Sequence, residues 1–218
     1  MAGSSYNVKQ GDHIPGIAAR FGFTDYLAIW NHAKNAELKK NRENPNVLYP
    51  GDTVYIPDKV PGEFDRPTEK KHKFVLKQKP LKLRLTLQDQ YENPIANADC
   101  ILMVDSASHN LKSDADGKVE LEIPPTATQS QLIIQDTEQT PYGGISIPIK
   151  IGHLDPVDEI SGQQARLSSL GYFTREIDGQ TSPFLDAAIQ EFQCEHKLTV
   201  DGICGPNTQA KLKEVYGC

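Results

Sequence analysis

The last third of the chain states one pattern twice. Ile177-Asp178-Gly179 returns as Val200-Asp201-Gly202, and Ser182-Pro183 returns as Gly205-Pro206. Ala187, Ile189, Glu191 and Phe192 return as Ala210, Leu212, Glu214 and Val215 at the same offset. Two copies are too few for a stacked solenoid, so they predict one small domain with internal symmetry. In each copy Asp-Gly supplies a turn, with Gly free to take positive φ. Ser182 or Gly205 then stands at an N-cap, and Pro183 or Pro206 fits the first helical position, where no N–H is needed. Leu185, Ala188, Ile189 and Phe192 mark one helical face, and Thr208, Leu212 and Val215 mark its counterpart. A further helix is read upstream: Asp155 caps it, Pro156 opens it, Val157, Ile160, Leu167 and Leu170 form its apolar stripe, and Gly171 stops it. The pattern predicts a three-helix, all-α module over 152–218.

These residues also carry a resemblance. Gln164-x-x-Leu167-x-x-Leu170-Gly171-Tyr172, Asp178-Gly179, Ala188-Ile189-x-x-Phe192-Gln193 and Leu198-Thr199-Val200-Asp201-Gly202-Ile203-Cys204-Gly205-Pro206-x-Thr208 resemble the three-helix peptidoglycan-binding domain appended to cell-wall hydrolases. Gln163 stands where that family has an apolar residue, and Gln180-Thr181-Ser182-Pro183 replaces its Gly-Pro loop. The Asp-Gly pairs read as turn formers and not as ligand contacts.

The first segment, 1–58, reads strand, helix, helix, strand. Tyr6-Asn7-Val8-Lys9 is a short strand and Gly11-Asp12 a turn. Ile14, Ile17, Ala18 and Phe21 fall at helical spacing until Gly22, and Tyr26, Ile29 and Trp30 begin a second helical pattern. The spacing puts Trp30 in the core. Thr53-Val54-Tyr55-Ile56-Pro57 is the closing strand. Tyr6-x-Val8-x-x-Gly11-Asp12, Ile17-Ala18-x-x-Phe21-Gly22, Asn46-Val47-Leu48-Tyr49-Pro50-Gly51-Asp52 and Val54-Tyr55-Ile56-Pro57 resemble a LysM module, whose members bind N-acetylglucosamine-containing polymers. The resemblance implies a glycan groove in which Asp12, His13, Ile14 and Pro15 face Asn46, Val47, Leu48, Tyr49 and Pro50. His13-Ile14-Pro15 replaces the usual Thr or Ser chemistry, and Ala36–Asn44 is an insertion whose charged part, Lys39 to Glu43, is expected to be solvated.

Residues 59–73 read as a linker broken by Pro61, Gly62 and Pro67, ending in the basic run Lys70-Lys71-His72-Lys73. Residues 74–151 read as an all-β sandwich. Leu81, Leu83, Leu85 and Leu87 alternate with polar residues, and Ala98 to Val104 is a second strand holding a buried Cys100. Val119, Leu121 and Ile123 follow the turn Asp114-Ala115-Asp116-Gly117, and Leu132-Ile133-Ile134 is another strand. Ile145, Ile147 and Ile149 alternate around Pro148, which suggests an edge. Asp89-x-x-x-Asn93-Pro94-Ile95 with Ser113-Asp114-x-Asp116-Gly117 resembles the prealbumin-like and immunoglobulin-like spacers of bacterial surface proteins. Asp114 and Asp116 lack the remaining ligands of a calcium loop, so a turn is expected.

The whole reads as a multidomain chain: an α+β module, a β-sandwich spacer and a three-helix module. A net charge of −6 argues against a general nucleic-acid binder, and no apolar run is long enough for a membrane span. No Cys-x-x-Cys pair or zinc spacing is present, so neither metal nor cofactor is expected. Cys194, Cys204 and Cys218 leave open either one bridge or free thiols. No nucleophile elbow, His-Glu-x-x-His helix or phosphate loop appears, and Asp155, Asp158 and Glu159 cluster where a helix start favours acidic residues anyway. The function read from this is non-catalytic binding of peptidoglycan through two terminal modules. The alternatives are a protein–protein scaffold and an unrecognised wall hydrolase. Met1-Ala2-Gly3-Ser4-Ser5 has no signal-peptide core, so synthesis in the cytoplasm and export by a non-Sec route to the wall or periplasm are expected. Ile151-Gly152-His153-Leu154-Asp155-Pro156-Val157 running into Ile160-Ser161-Gly162-x-Gln164-Ala165-Arg166-Leu167 after a LysM-like start is similar to proteins of type VI secretion spikes. That likeness implies a spike or effector protein as a further partner.

Overall fold

The computed structural model describes residues 3–59, 65–73, 75, 79–89, 91–135 and 144–218. Pro61 and Gly62 of the expected linker lie outside them. The chain divides into two compact units, Met1–Asn46 with Pro50–Gly152, and Val47–Tyr49 with His153–Cys218.

In the first unit β1 (Ser4–Asn7) pairs antiparallel with β2 (Thr53–Ile56), from Ser4 opposite Ile56 to Asn7 opposite Thr53. Between them run α1 (Ile14–Arg20), α2 (Leu27–Trp30), a 3₁₀ turn at Ala33–Asn35 and α3 (Ala36–Arg42). Ile14, Ile17, Ala18, Ile29, Trp30, Val54 and Ile56 are buried, Trp30 among them as its spacing required. Asn35 is the polar pin of this core. Its amide donates to the carbonyls of Ile29 and Tyr55, and its oxygen accepts from the Tyr55 N–H, all at 2.8 Å. The insertion keeps Lys39, Lys40, Asn41 and Glu43 exposed as expected, with Arg42 half-buried. It folds as α3, where Leu38 and Arg42, one turn apart, share a face. Leu38 is buried, and Arg42 forks onto the Asp52 carboxylate at 2.8 and 2.9 Å.

The β region of this unit contains two sheets around one core. The strands β3 (Leu81–Thr86) and β6 (Lys118–Ile123) form one. In the other, β4 (Asp99–Val104) lies between β5 (Ala107–Lys112) and β7 (Gln129–Ile134), and β8 (Ile145–Lys150) pairs with β7 at the edge. Cys100, Leu102, Val104, Val119, Ile123, Leu132 and Ile134 supply the shared core. The strand β5 has no counterpart in the sequence reading, because Ala-Ser-His-Asn-Leu-Lys lacks apolar alternation. Pro148 does sit on an edge strand. Ile145 and Ile147 are registered opposite the buried Ile134 and Leu132. They stay 42% and 40% exposed because β8 is the outermost of four strands and the other sheet has two. Asp114 makes a turn: its Oδ1 accepts from the N–H groups of Asp116 and Lys118. Gly117 holds φ of 73°, and a Cβ there would lie 2.3 Å from the Leu87 carbonyl oxygen.

The second unit contains α4 (Ile160–Ser169), α5 (Pro183–Glu195) and α6 (Pro206–Tyr216). The Ser182 hydroxyl caps α5, Gly205 is the N-cap of α6, and a proline opens each. Leu167, Leu185, Ala188, Ile189, Phe192 and Leu212 close the core. Two details depart from the expected stripes. Helix α4 begins at Ile160 with Glu159 at its cap, and Val157 is buried ahead of it. The Asp155 side chain instead accepts from the Ser161 hydroxyl. Val215 shares the face of Thr208 and Leu212 by spacing but lies in the last turn of α6 and is 38% exposed. Among the described residues no helix is long and apolar enough to cross a membrane.

Candidate functional site

The two Asp-Gly turns of the second unit are built alike, and each is held by a glutamine from the preceding helix. Asp178 folds its carboxylate onto the Gln180 N–H, and Asp201 folds onto the Ile203 N–H, both at 2.9 Å. Gly179 and Gly202 follow with φ of 70° and 72°, where a side chain would be strained. Gln164 donates from Nε2 to Asp178 Oδ1 and to the Gln180 carbonyl, and accepts the Gly179 N–H. Gln193 donates to Asp201 Oδ1, the Ile203 carbonyl and Thr208 Oγ1, and accepts the N–H groups of Asp201 and Gly202. Both glutamines are 1% exposed. A buried amide that satisfies this many groups fixes the turn's orientation, because any other pose orphans several of them.

The electrostatics agree with a turn and not an acid. The hydrogen bond from Gln164, then that from the Gln180 N–H, holds the Asp178 carboxyl below its usual range. For Asp201 the Ile203 N–H leads and Gln193 follows, with the same result. A carboxylate held low is an acceptor at neutral pH and does not serve as a general acid. Gln163, the polar residue at an apolar family position, donates to the Val157 carbonyl and is buried without loss.

Arg166 braces the same unit. It is 1% exposed. Its guanidinium donates to the carbonyls of Asp155, Gly162 and Cys218 at 2.8–2.9 Å and stands over the Tyr216 ring. Burial lowers its pKa. The four cysteines are free thiols: Cys100 and Cys204 buried, Cys218 partly so, Cys194 exposed. Burial raises the Cys204 thiol to about 11, which makes it a poor nucleophile.

The nine residues expected to line a groove in the first segment have mixed placements. Their two loops do meet, since the Ile14 N–H donates to the Pro45 carbonyl at 2.8 Å. Asp12, His13, Ile14, Pro15, Val47 and Leu48 are buried, Tyr49 is half-buried, and Asn46 and Pro50 are exposed. Val47–Tyr49 group with the second unit. Asp12 accepts from the Tyr6 hydroxyl, the Lys9 N–H and Arg20. His13 caps α1 by accepting the Gly16 N–H at Nδ1, and burial pushes its pKa down to about 4. Within the first unit this loop is packed from outside. A Cβ on Gly16 would lie 3.1 Å from the Pro125 carbonyl oxygen, and one on Gly152 would lie 2.4 Å from the Gly11 carbonyl oxygen and 3.0 Å from His13 Cδ2.

Sequence reasoning passed over the structural jobs of Gln164, Gln193 and Arg166, and it passed over Phe173, Arg175 and Phe184 altogether. The signal for the glutamines was their place next to apolar stripe positions, Gln193 directly after Phe192. The signal for the last three was two aromatic residues outside any apolar stripe, Phe173 in the loop and Phe184 at the start of α5.

Comparison with known proteins bears on the second unit. Residues 157–212 match the sequence model of the peptidoglycan binding domain family. The N-acetylmuramoyl-L-alanine amidase CwlM of Mycobacterium tuberculosis is 40% identical over 55 residues, which cover 25% of this chain and 14% of that protein. The spore cortex-lytic enzyme of Halalkalibacterium halodurans is 35% identical over 57 residues, 26% of this chain and 17% of that protein. The chain therefore spans less than a fifth of the length of these relatives. No solved structure gives a significant match.

Proposed function

We propose that this chain is a non-catalytic cell-wall-binding protein whose grip on peptidoglycan lies in the His153–Cys218 region. One observation carries the reading: the family match over 157–212 falls on the part of the chain where Gln164 and Gln193 hold two matched turns rigid. Rigid loops lower the entropy lost on binding a polymer. The stretch shared with the two wall enzymes covers 14% and 17% of them, so the likeness supports wall binding and is no argument for their catalysis. The test is co-sedimentation of the full chain with purified insoluble peptidoglycan across a salt series. A chain that stays in the supernatant throughout refutes wall binding, and release of soluble muropeptides on long incubation replaces the non-catalytic reading with a hydrolase.

A second reading concerns the first segment. Its LysM-like order of elements suggests a second glycan contact, with Asn46 and Pro50 exposed. Asp12, His13, Ile14 and Pro15 are buried, with Pro125 close to Gly16 and Gly152 close to Gly11 and His13, which favours a scaffold in which that loop serves protein packing and not sugar. Asn46→Ala decides between them, because Asn46 is exposed and its loss leaves the core intact. Weaker wall retention supports the glycan contact, and unchanged retention supports the scaffold. Two wall contacts on one chain would raise avidity, since the second becomes intramolecular. The finer proposal is an accessory role in a contractile, type VI-like apparatus. Equal delivery of the tagged protein from cells with and without a working sheath refutes it.

A further inference from the structure

The loop from α4 to α5 exposes a cluster that the turn scaffold does not use. Phe173 is 67% exposed, and Phe184, the second residue of α5, is 39% exposed. Their rings meet edge to face, with centroids 5.8 Å apart and planes at 89°. The Arg175 guanidinium lies 4.3 Å from the centre of the Phe184 ring. Among the described residues that ring is its partner, with no carboxylate to neutralise it. Arg175 also holds φ of 66°, a backbone region that disfavours side chains other than those of Asn and Asp. Folding alone would be served better by glycine here. The core of the unit is already closed by Leu167, Leu185, Phe192 and Leu212, so packing does not account for rings left in water.

We infer that Phe173, Arg175 and Phe184 form the contact surface for peptidoglycan, the guanidinium taking a free carboxylate of the stem peptide and the rings covering the apolar face of an adjoining sugar. This rests on the wall-binding reading above and names where that binding occurs. The planar guanidinium matches a carboxylate through two parallel N–H bonds, and its place over the Phe184 ring restricts it before a ligand arrives. Exposed rings in an edge-to-face pair present a broad apolar surface at little entropic cost, which suits a pyranose face. Charge supports an anionic occupant. The chain carries a net −6, so attraction of a carboxylate must be local, and Arg175 provides an unneutralised cation beside an apolar platform.

The test measures binding of the full chain to insoluble peptidoglycan by sedimentation, and to a soluble muropeptide with free stem carboxylates by calorimetry. Arg175→Gly removes the cation and relieves the positive-φ strain, so folding is preserved. It is expected to weaken binding about tenfold or more, and the Phe173→Ala/Phe184→Ala double variant to do the same. Amidating the stem carboxylates should weaken wild-type binding equally and leave Arg175→Gly unaffected. Retention of Arg175→Gly and the double variant at the wild-type level overturns the patch and leaves wall binding standing. If the wild-type chain itself fails to sediment, the underlying reading fails first. If the double variant loses a concentration-dependent dimer seen by ultracentrifugation and keeps wild-type wall retention, the surface joins two copies of the chain and this assignment is overturned.

Discussion

His13 makes the stability of the first unit depend on pH in a way that can be worked out. Its imidazole is 4% exposed and its Nδ1 accepts the Gly16 N–H at the start of α1. Protonation both places a charge in the core and converts that acceptor into a donor. Burial is the main cause of a folded pKa near 4 against an ordinary 6.5, with Asp12 pulling the other way and Arg20 adding to the depression. Between those values the unfolded chain holds a proton that the folded chain does not, so stability rises with pH across the window. The stability is complete above pH 6.5, falls as pH drops toward 4, and is flat below for this group. At 1.36 kcal/mol per pH unit, the gap between 6.5 and about 4 corresponds to about 3 kcal/mol. With a urea slope of about 1–3 kcal/mol/M, the midpoint should move by about 1–3 M. The single tryptophan, Trp30, is buried in the same unit, so its fluorescence reports the transition directly. Carboxylates also titrate near the lower limit, and His13→Asn isolates the histidine. Asn supplies the same N-cap acceptor without a proton to gain. The variant should start less stable, through lost volume, and show about 3 kcal/mol less pH dependence between 7.5 and 4. If its pH dependence matches that of the wild type, the burial argument is wrong.

Three further outcomes are expected, each read by urea unfolding followed by helical circular dichroism. Arg166→Met removes the donor to the half-buried Asp155 and Cys218 carbonyl oxygens and the extra bond to the Gly162 carbonyl, and should cost about 1.5–3 kcal/mol of second-unit stability; a loss below about 0.5 kcal/mol would mean that the carbonyls find other partners. Gln193→Ala deletes five hydrogen bonds and Gln164→Ala three, so the former should be the more destabilising by about 1–2 kcal/mol, and the reverse order would discredit the turn-clasp account. Gly162→Ala drives a methyl to 1.9 Å from the Pro156 carbonyl oxygen and should destabilise α4 despite the better helix propensity of Ala; a stabilised variant would show that the Asp155–Pro156 bend is free to move.

Legibility from the sequence followed how local each structural cause is. Caps, opening prolines and Asp-Gly turns act within a few residues, and Ser182-Pro183, Gly205-Pro206, Asp178-Gly179 and Asp201-Gly202 all do what their local chemistry dictates. Alternation placed β3, β6 and β8, and short apolar runs placed β4 and β7, for the same reason. Beyond β5, whose local signal is weak, two departures are cases where a distant partner wins. Asp155-Pro156 carries a sound helix-start signal. Yet the carbonyls of both residues face Gly162, and Arg166 takes the Asp155 carbonyl, so that stretch is pinned across α4 and the helix waits until Ile160. Lys39 to Glu43 looks like a solvated run by composition, and Asp52, ten residues beyond Arg42, turns one of its charges inward.

The same reasoning bears on how a binding loop is told from a structural one. Asp12 and Arg175 are both charged residues in loops next to helices, and nothing in their own identity separates them. The difference is whether the rest of the chain has already met their needs. Asp12 has its oxygens committed to Tyr6, Lys9 and Arg20, so a ligand there would have to replace three hydrogen bonds before gaining any. Arg175 has a ring beneath it and no acceptor among the described residues, so a carboxylate arriving there displaces only water. An uncommitted guanidinium can therefore contribute most of its pairing energy to a ligand, whereas a committed carboxylate returns only a difference between two sets of bonds. On that ground the wall contact we propose lies at Phe173, Arg175 and Phe184, while the Asp12 carboxylate is already engaged within its own unit.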